Sequence, residues 1–206
     1  METYLSLDLP RDVIERPLVD EYDVNGWDIR KALQLLLKGN PTLNEWMQSP
    51  IRYQWGIWAD SLAELAREGH DVKASYYHYL DLCESTLKKY LWNVEQVRMK
   101  KYLYAIRPVL ALRWLRLHDT VPPMDLPSIR RQVDLDADVE AEIDSLIAAK
   151  HTLPEATTMP HVKLLDELIA SECAAAREMA PKRPRELNPE LLPQANDLYR
   201  RIVKSR

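Results

Sequence analysis

"DEYDVNGWDIRKALQLLLKGN", residues 20–40, decides how the chain is read. Extended backbone sends alternate side chains to opposite faces, so Asp23, Asn25 and Trp27 share one side and Tyr22, Val24 and Gly26 the other. Asn25-Gly26 breaks the run, and Asp28 then stands as N-cap of a helix that closes at Lys38-Gly39. Leu33, Leu36 and Leu37 supply its buried stripe. A strand therefore hands over to a helix within five residues, with the Asp23 carboxylate beside the junction. That carboxylate is either a surface group or half of a metal site, and these residues leave both readings open.

Upstream, strands are expected near Val13–Glu15 and Glu21–Trp27, with Pro17 limiting their pairing. Downstream, Asn40 caps a short helix with Pro41 at its first position, closed by Ser49-Pro50. From Trp58 onward the spacing predicts helices over Ala59–Glu68, Val72–Tyr90, Asn93–His118, Val139–Lys150 and Val162–Met179. Connectors fall at Gly69, at "TVPPMDLP" (120–127) and at "TLPEATTMP" (152–160). A basic tail follows from Pro181, where Asn188-Pro189 again reads as a cap and first turn. Strands are thus confined to the first thirty or so residues, and two strands alone make no stable sheet. The expected fold is mainly α with a small β remnant, an α+β chain in three segments: 1–57, 58–180 and 181–206.

Composition agrees with that class. Glycine is scarce (4) and proline common (14), which suits helices joined by stiff connectors better than hairpin-rich sheets. The 206 residues suffice for one substantial core or two small ones. Cys83 and Cys173 are too few for a disulfide scaffold and lack metal-ligand spacing, as expected in a reducing cytosol. The start, "METYLSLDLPRD", has neither the basic head nor the apolar core of a signal peptide. No run of about 18 apolar residues occurs, so no transmembrane helix and a cytoplasmic location are expected.

Several chemistries are excluded by the residues themselves. The four glycines form neither a dinucleotide fingerprint nor a P-loop, and no G-x-S-x-G elbow is present. "DLDADVEAEID" opens like a calcium loop at Asp134, Asp136 and Asp138. It then places Val139 where the turn glycine belongs and Ser145 where the bidentate glutamate belongs, so it reads as a solvated helix start.

The strongest charge feature is Lys88–Arg116, "KKYLWNVEQVRMKKYLYAIRPVLALRWLR". It holds eight Lys or Arg against one acid, Glu95, in a chain of formal charge −4. At 100° per residue, Lys89, Asn93, Gln96, Lys100, Tyr104 and Arg107 share a stripe, and Trp92, Met99, Leu103, Ile106, Leu110 and Leu117 line a core-like one beside it. A basic row along a buried one suits an anionic ligand at a cleft edge; long side chains snorkelling from a partly buried helix give the same pattern. Pro108 should kink or restart the helix. Tyr76, Tyr77, His78 and Tyr79 form an aromatic run that reads as core packing or as a stacking platform. Asp20, Glu21, Asp23 and Asp28 make an acidic neighbourhood for a divalent cation, although Asp23 alone is not enough to support phosphoryl or nucleotidyl transfer.

"YLSLDLPRDVIE", "DVNGWDIRKALQLLLKGNPTLNEWMQSPIRY" and "KKYLYAIRPVLALRWL…PPMDL" resemble the bacterial nucleotidyltransferases associated with RNA repair, of the polymerase-β-type superfamily. The match runs from Tyr4 to about Glu172. It implies the end of a nucleotidyltransferase sheet (1–57), a helical nucleotide-binding domain (58–180) and transfer from an NTP to a hydroxyl acceptor such as RNA, with Mg²⁺. In that superfamily two carboxylates sit in a D-x-D after a Gly-Ser turn, and a third lies on a later strand. Asp23 matches the third, as catalytic residue and metal ligand. Lys100, Lys101, Tyr104 and Arg107 match the basic helical motif, for which charge and spacing suggest contacts to triphosphate or RNA. The Gly-Ser turn and D-x-D are absent ahead of Asp23, so the resemblance implies the family's C-terminal part, inactive or nearly so by itself. Asp23 and the cationic helix are expected to face a common hollow. The alternatives are a non-catalytic helical RNA- or nucleotide-binding module and a fragment with no function of its own.

Overall fold

The computed structural model describes residues 11–20, 22–154, 156–180, 182 and 188–205. Expectations that fall on residues 1–10, on Glu21, and on Pro181, Arg183, Arg185 and Arg206 lie outside the described residues. The chain is mainly helical, and its short strands form two two-stranded antiparallel ladders among the described residues. The fold class is therefore the expected one. The chain divides into two compact units, which group the elements differently from a split at Trp58.

The first unit comprises Met1–Met47, Arg52–His70 and Glu186–Arg206. Strands β1 (Val13–Glu15) and β2 (Asn25–Trp27) pair with Val13 opposite Trp27. The hairpin narrows to a Val19–Tyr22 bridge, and Asp20 takes φ 48°, a left-handed conformation that Asp tolerates. Helix α1 (Ile29–Leu37) starts where Asp28 Oδ1 accepts from Arg30 N at 2.8 Å. It ends in a Schellman closure: Gly39, at φ 79°, donates to Leu36 O and Asn40 N to Leu35 O. Helix α2 (Thr42–Met47) follows, capped by Asn40 as expected. In α3 (Ala59–Glu68) the terminal Gly69 lies so close to Leu36 that a Cβ would meet its Cδ2 at 2.7 Å.

After the turn expected at Asn188-Pro189, the basic tail forms helix α9 (Leu191–Lys204), and Leu191, Ala195, Leu198 and Ile202 join the core of Ala32, Leu33, Leu36, Leu43 and Leu65. Apolar residues at helical spacing outweigh the charge count, leaving Arg200, Arg201 and Lys204 on the exposed face.

The second unit comprises Gln48–Ile51 and Asp71–Arg185. Helix α4 (Val72–Thr86), capped by Asp71, runs into a π-helical turn at Leu87–Leu91. Strand β3 (Val97–Arg98) leads into α5 (Met99–His118), followed by α6 (Leu126–Arg130) and α7 (Ala137–Thr152). Strand β4 (Thr158–Met159) pairs with β3 before α8 (Lys163–Met179), so strands are not confined to the first thirty residues. Arg130 ties α6 to α7 through Glu140 and through Asp144 at 2.8 Å.

Helix α5 is the centre of this unit, packed against α4, α7 and α8. Tyr102, Ala105, Ile106 and the run Val109–Leu112 are buried, so its apolar surface extends around the helix and gives no clear stripe. Helix α5 begins at Met99, not Asn93, and the expected core residues Trp92 and Leu117 are half exposed. It passes through Pro108 as one helix instead of restarting; the missing amide forfeits one bond, and burial of Pro108 and its successors holds the turn. Tyr76 and Tyr79 are core residues, whereas Tyr77 is exposed.

One buried charge secures α8 to α5. Glu172, 4% exposed, accepts from Arg113 Nε at 2.7 Å and bidentately from Arg116 Nη2 at 3.0 and 3.1 Å. Arg113 also donates to the Asp134 carbonyl at 2.7 Å. Removing one partner of a buried pair strands the others, at about 3–5 kcal/mol. Glu172→Ala should therefore lower unfolding stability by about that amount in urea titration. A loss below about 1 kcal/mol would mean that the arginines are sufficiently solvated without it.

Candidate nucleic-acid interface

The π-helical turn creates this site. Trp92 N donates to Leu87 O at 2.8 Å, the i to i−5 bond of the wider turn, and Asn93 at φ 58° ends the helix. The chain then returns through β3, and α5 starts where Met99 N donates to Thr157 O at 3.1 Å. Two copies of Lys-Lys-Tyr-Leu, at 88–91 and 100–103, are thereby brought together. They present different residues because one lies in a π turn and the other in an α-helix. Tyr90 turns partly outward in the first, while Tyr102 is buried in the second and Tyr104 takes the outer position.

Lys101 lies between two aromatic rings, its Nζ 4.0 Å from the Tyr90 centroid and 4.7 Å from that of Tyr104. Lys100 Nζ is 5.7 Å from the Tyr104 centroid and Lys89 Nζ 5.1 Å from that of Tyr90. A hydrogen bond from Lys89, with the charges of Lys101 and Lys89, holds the Tyr90 phenol below the ordinary tyrosine value. Lys100 and Lys101 also occupy the first turn of α5, which has no acidic residue. Cations there oppose the helix dipole by about 0.3–1 kcal/mol each. Folding alone gives little reason for this placement; a bound anion meeting the ammonium groups gives one.

Of the expected contacts, Lys100, Lys101 and Tyr104 are brought together. Arg107 lies further along the helix, where its Nε donates to the Met124 carbonyl at 3.0 Å and steadies the connector before α6. Tyr90 and its pairing with Lys101 were not anticipated, although the repeated Lys-Lys-Tyr-Leu was a signal for them. The continuous stripe from Lys89 to Arg107 does not exist, because residues 92–98 are not helical.

Asp23 belongs to the first unit and the lysine–tyrosine cluster to the second. Strand β2 is shorter than expected, so Asp23 sits in the loop ahead of it and not on a rigid strand. The alternation still holds locally: Asn25 Nδ2 donates to Asp23 Oδ1 at 2.7 Å, and Trp27, on the same side, packs into the core with its ring 4.3 Å from Trp46. Asp28 is committed to its cap. Among the described residues no three His, Cys, Asp or Glu gather as metal ligands. Asp23 and its described neighbours therefore do not fit a Mg²⁺ cage by themselves. In the same unit, a cavity of about 540 Å³ between α3 and α9 is lined by Glu64, Glu68 and Asp197 with Arg201, a surface ill suited to phosphate.

Beside the cluster, three groups fasten the loop after the π turn. Tyr102 OH donates to Asp166 Oδ1 and accepts from Val162 N, both at 2.9 Å. His161 bridges the Val94 carbonyl through Nε2 and Asp166 Oδ2 through Nδ1, both at 2.9 Å. Both partners are acceptors, so a doubly protonated ring satisfies the two of them at once. The Val94 carbonyl, then Asp166, hold the His161 pKa above the ordinary histidine value, and burial pushes the Tyr102 phenol up to about 12. A raised folded pKa contributes stability that is full below the unfolded value and is lost as pH rises through the folded one. The stability gap between wild type and His161→Gln should thus be widest near about pH 5.5 and narrow towards about pH 8.5. Urea titrations at both values test this, and a gap that stays constant or widens with pH contradicts the bridging imidazolium.

No helix among the described residues is long and apolar enough to cross a membrane. No solved structure matches the chain. A protein of Bacillus subtilis (strain 168), the "Uncharacterized protein YcgL", is 33% identical over 205 residues, covering 99% of this chain and 77% of that protein. The chain matches the RNA repair pathway DNA polymerase beta family, RlaP, over residues 1–201. It belongs to that family.

Proposed function

We propose that this protein acts in nucleotidyl transfer from an NTP to a hydroxyl acceptor of RNA, and that its own part is to bind the polyanion. The observation that carries this reading is Lys101 between Tyr90 and Tyr104, flanked by Lys89 and Lys100. Rings among lysines are what single-stranded nucleic acid uses, since bases stack on accessible ring surface, here that of the exposed Tyr104 and the partly buried Tyr90, while phosphates meet the cations. Membership of an RNA repair family supports RNA as the polyanion. Arg107, held to Met124, would then support the surface more than touch the ligand.

In this reading Asp23 supplies one carboxylate of a Mg²⁺ site, and the remaining ligands come from outside the described residues of this chain. Transfer by the purified polypeptide is accordingly expected to be absent or nearly so. A non-catalytic RNA-binding module is the second reading, and the same lysine–tyrosine cluster would serve it.

Fluorescence anisotropy with a single-stranded RNA tests the binding. Three engaged lysines should give a log–log salt slope of about −2, and Lys101→Glu should reduce its magnitude by about 0.7 or more. Lys101→Glu combined with Tyr90→Ala should weaken binding at least tenfold, since loss of a stacking contact and a phosphate contact add. Unchanged affinity in the double variant would remove the cluster from the interface. A parallel assay with labelled NTP and Mg²⁺ separates the readings: measurable transfer by the chain alone would contradict its dependence on further carboxylates.

A further inference from the structure

The chain has two cysteines, ninety residues apart in sequence, and the fold brings them together. Cys83 on α4 and Cys173 on α8 have their Sγ atoms 3.0 Å apart in the interior of the second unit. Beside them, Glu84 and Arg177 form an ion pair, with Nη2 to Oε1 at 2.6 Å and Nε to Oε1 at 2.8 Å. Arg177 lies one helical turn beyond Cys173 and Glu84 directly after Cys83. The pair thus clamps the two helices in the register that apposes the thiols.

Cys173 is not sealed away. It lines a cavity of about 340 Å³ whose walls include Leu91, Trp92, His161, Asp166 and Arg177. Buried as it is, Cys173 would meet a small neutral oxidant by that route. Burial alone is the ordinary state of a free cysteine, which packs like a small hydrophobe. That ordinary state explains neither the meeting of the only two thiols in 206 residues nor the approach of one to a cavity beside an arginine.

We propose that Cys83 and Cys173 are a dithiol modification site, oxidised by a peroxide to an intramolecular disulfide that joins α4 to α8. Cys173 reacts first. Its thiolate displaces hydroxide from the peroxide O–O bond and becomes a sulfenic acid. Cys83 then attacks that sulfur; the S–O bond breaks, the S–S bond forms, and the Cys83 proton leaves with the departing oxygen as water. One thiolate, one thiol and one hydrogen peroxide yield one disulfide, one hydroxide and one water. The order of attack follows from the surroundings. Cys173, and not Cys83, lines the cavity, and Arg177 lies one turn away; the hydrogen bond the thiols share, then the Arg177 charge, lower the Cys173 pKa, while that bond and burial raise that of Cys83. A bonded pair has its sulfurs about 2.05 Å apart, so closure requires a shift of about 1 Å. A dithiol reductant reverses the change by exchange.

The test uses the full chain treated with hydrogen peroxide, then alkylated under denaturing conditions and weighed intact. A loss of about 2 Da with no alkylation, in a protein still monomeric on a non-reducing gel, is the expected result; prior reduction should restore two alkylated thiols. Peptide mapping should recover a peptide pair joined through Cys83 and Cys173. Two alkylatable thiols surviving the treatment would overturn the proposal. So would a gain of oxygen without the cross-link, or a disulfide formed only between chains. For the order of attack, Cys83→Ala should trap a dimedone adduct on Cys173, and Cys173→Ala should trap at least tenfold less on Cys83. Equal trapping, or more on Cys83, reverses the assigned roles. Should either variant fail to fold, the wild-type measurement still decides whether the site exists.

Discussion

Burial of α5 is the constraint on which the second unit depends. A helix apolar around its circumference must be enclosed, and α4, α7 and α8 enclose it. The polar residues it does carry are placed where the enclosure needs them. Arg113 and Arg116 meet the buried Glu172 of α8, and Arg107 holds the connector before α6. Tyr102, fully buried, reaches Asp166 and the Val162 amide at the start of α8. With so much of the helix committed, its first turn and the exposed Tyr104 are where it offers charge and ring surface to solvent.

The preceding elements converge on that first turn. A π-helical turn at the end of α4 adds a residue to the helical repeat and rotates Tyr90 towards Lys101. The following loop is held by His161 through the Val94 carbonyl, so the cluster rests on a fastened segment. Such support suits the proposed recognition, because rings already in position need not be ordered when a base arrives. The first unit is built on different lines, around α1, α3 and α9 with a hairpin at one side. That hairpin leaves Ile14, Leu18, Val19, Tyr22 and Val24 more than half exposed, as the small size of a two-stranded ladder dictates.

Much of the local structure was legible because short-range chemistry specifies it. Asp28 and Asn40 cap helices as their side chains can, Gly39 closes α1, and α3 spans Ala59–Glu68 as the spacing predicts. Errors gathered where tertiary packing overrides periodicity. Helix α5 offers no clean stripe, so extending a 100° pattern back to Lys89 ran over the end of the π turn and β3 and put Trp92 in the core. The partners of Glu172 and the pairing of Cys83 with Cys173 are contacts between distant segments, and no local pattern announces them. For the candidate site, Lys100, Lys101 and Tyr104 were readable as a basic motif; Tyr90 needed the turn geometry.

The proposed RNA binding depends on the surface formed by the π turn and the first turn of α5. Photocrosslinking of a thiouridine-containing single-stranded RNA, followed by mapping of the attached peptides, tests it most directly. Adducts concentrated in residues 89–104, with Tyr90 and Tyr104 as attachment points, are the predicted result. Adducts confined to α9, or spread over the chain without preference for that segment, would contradict it.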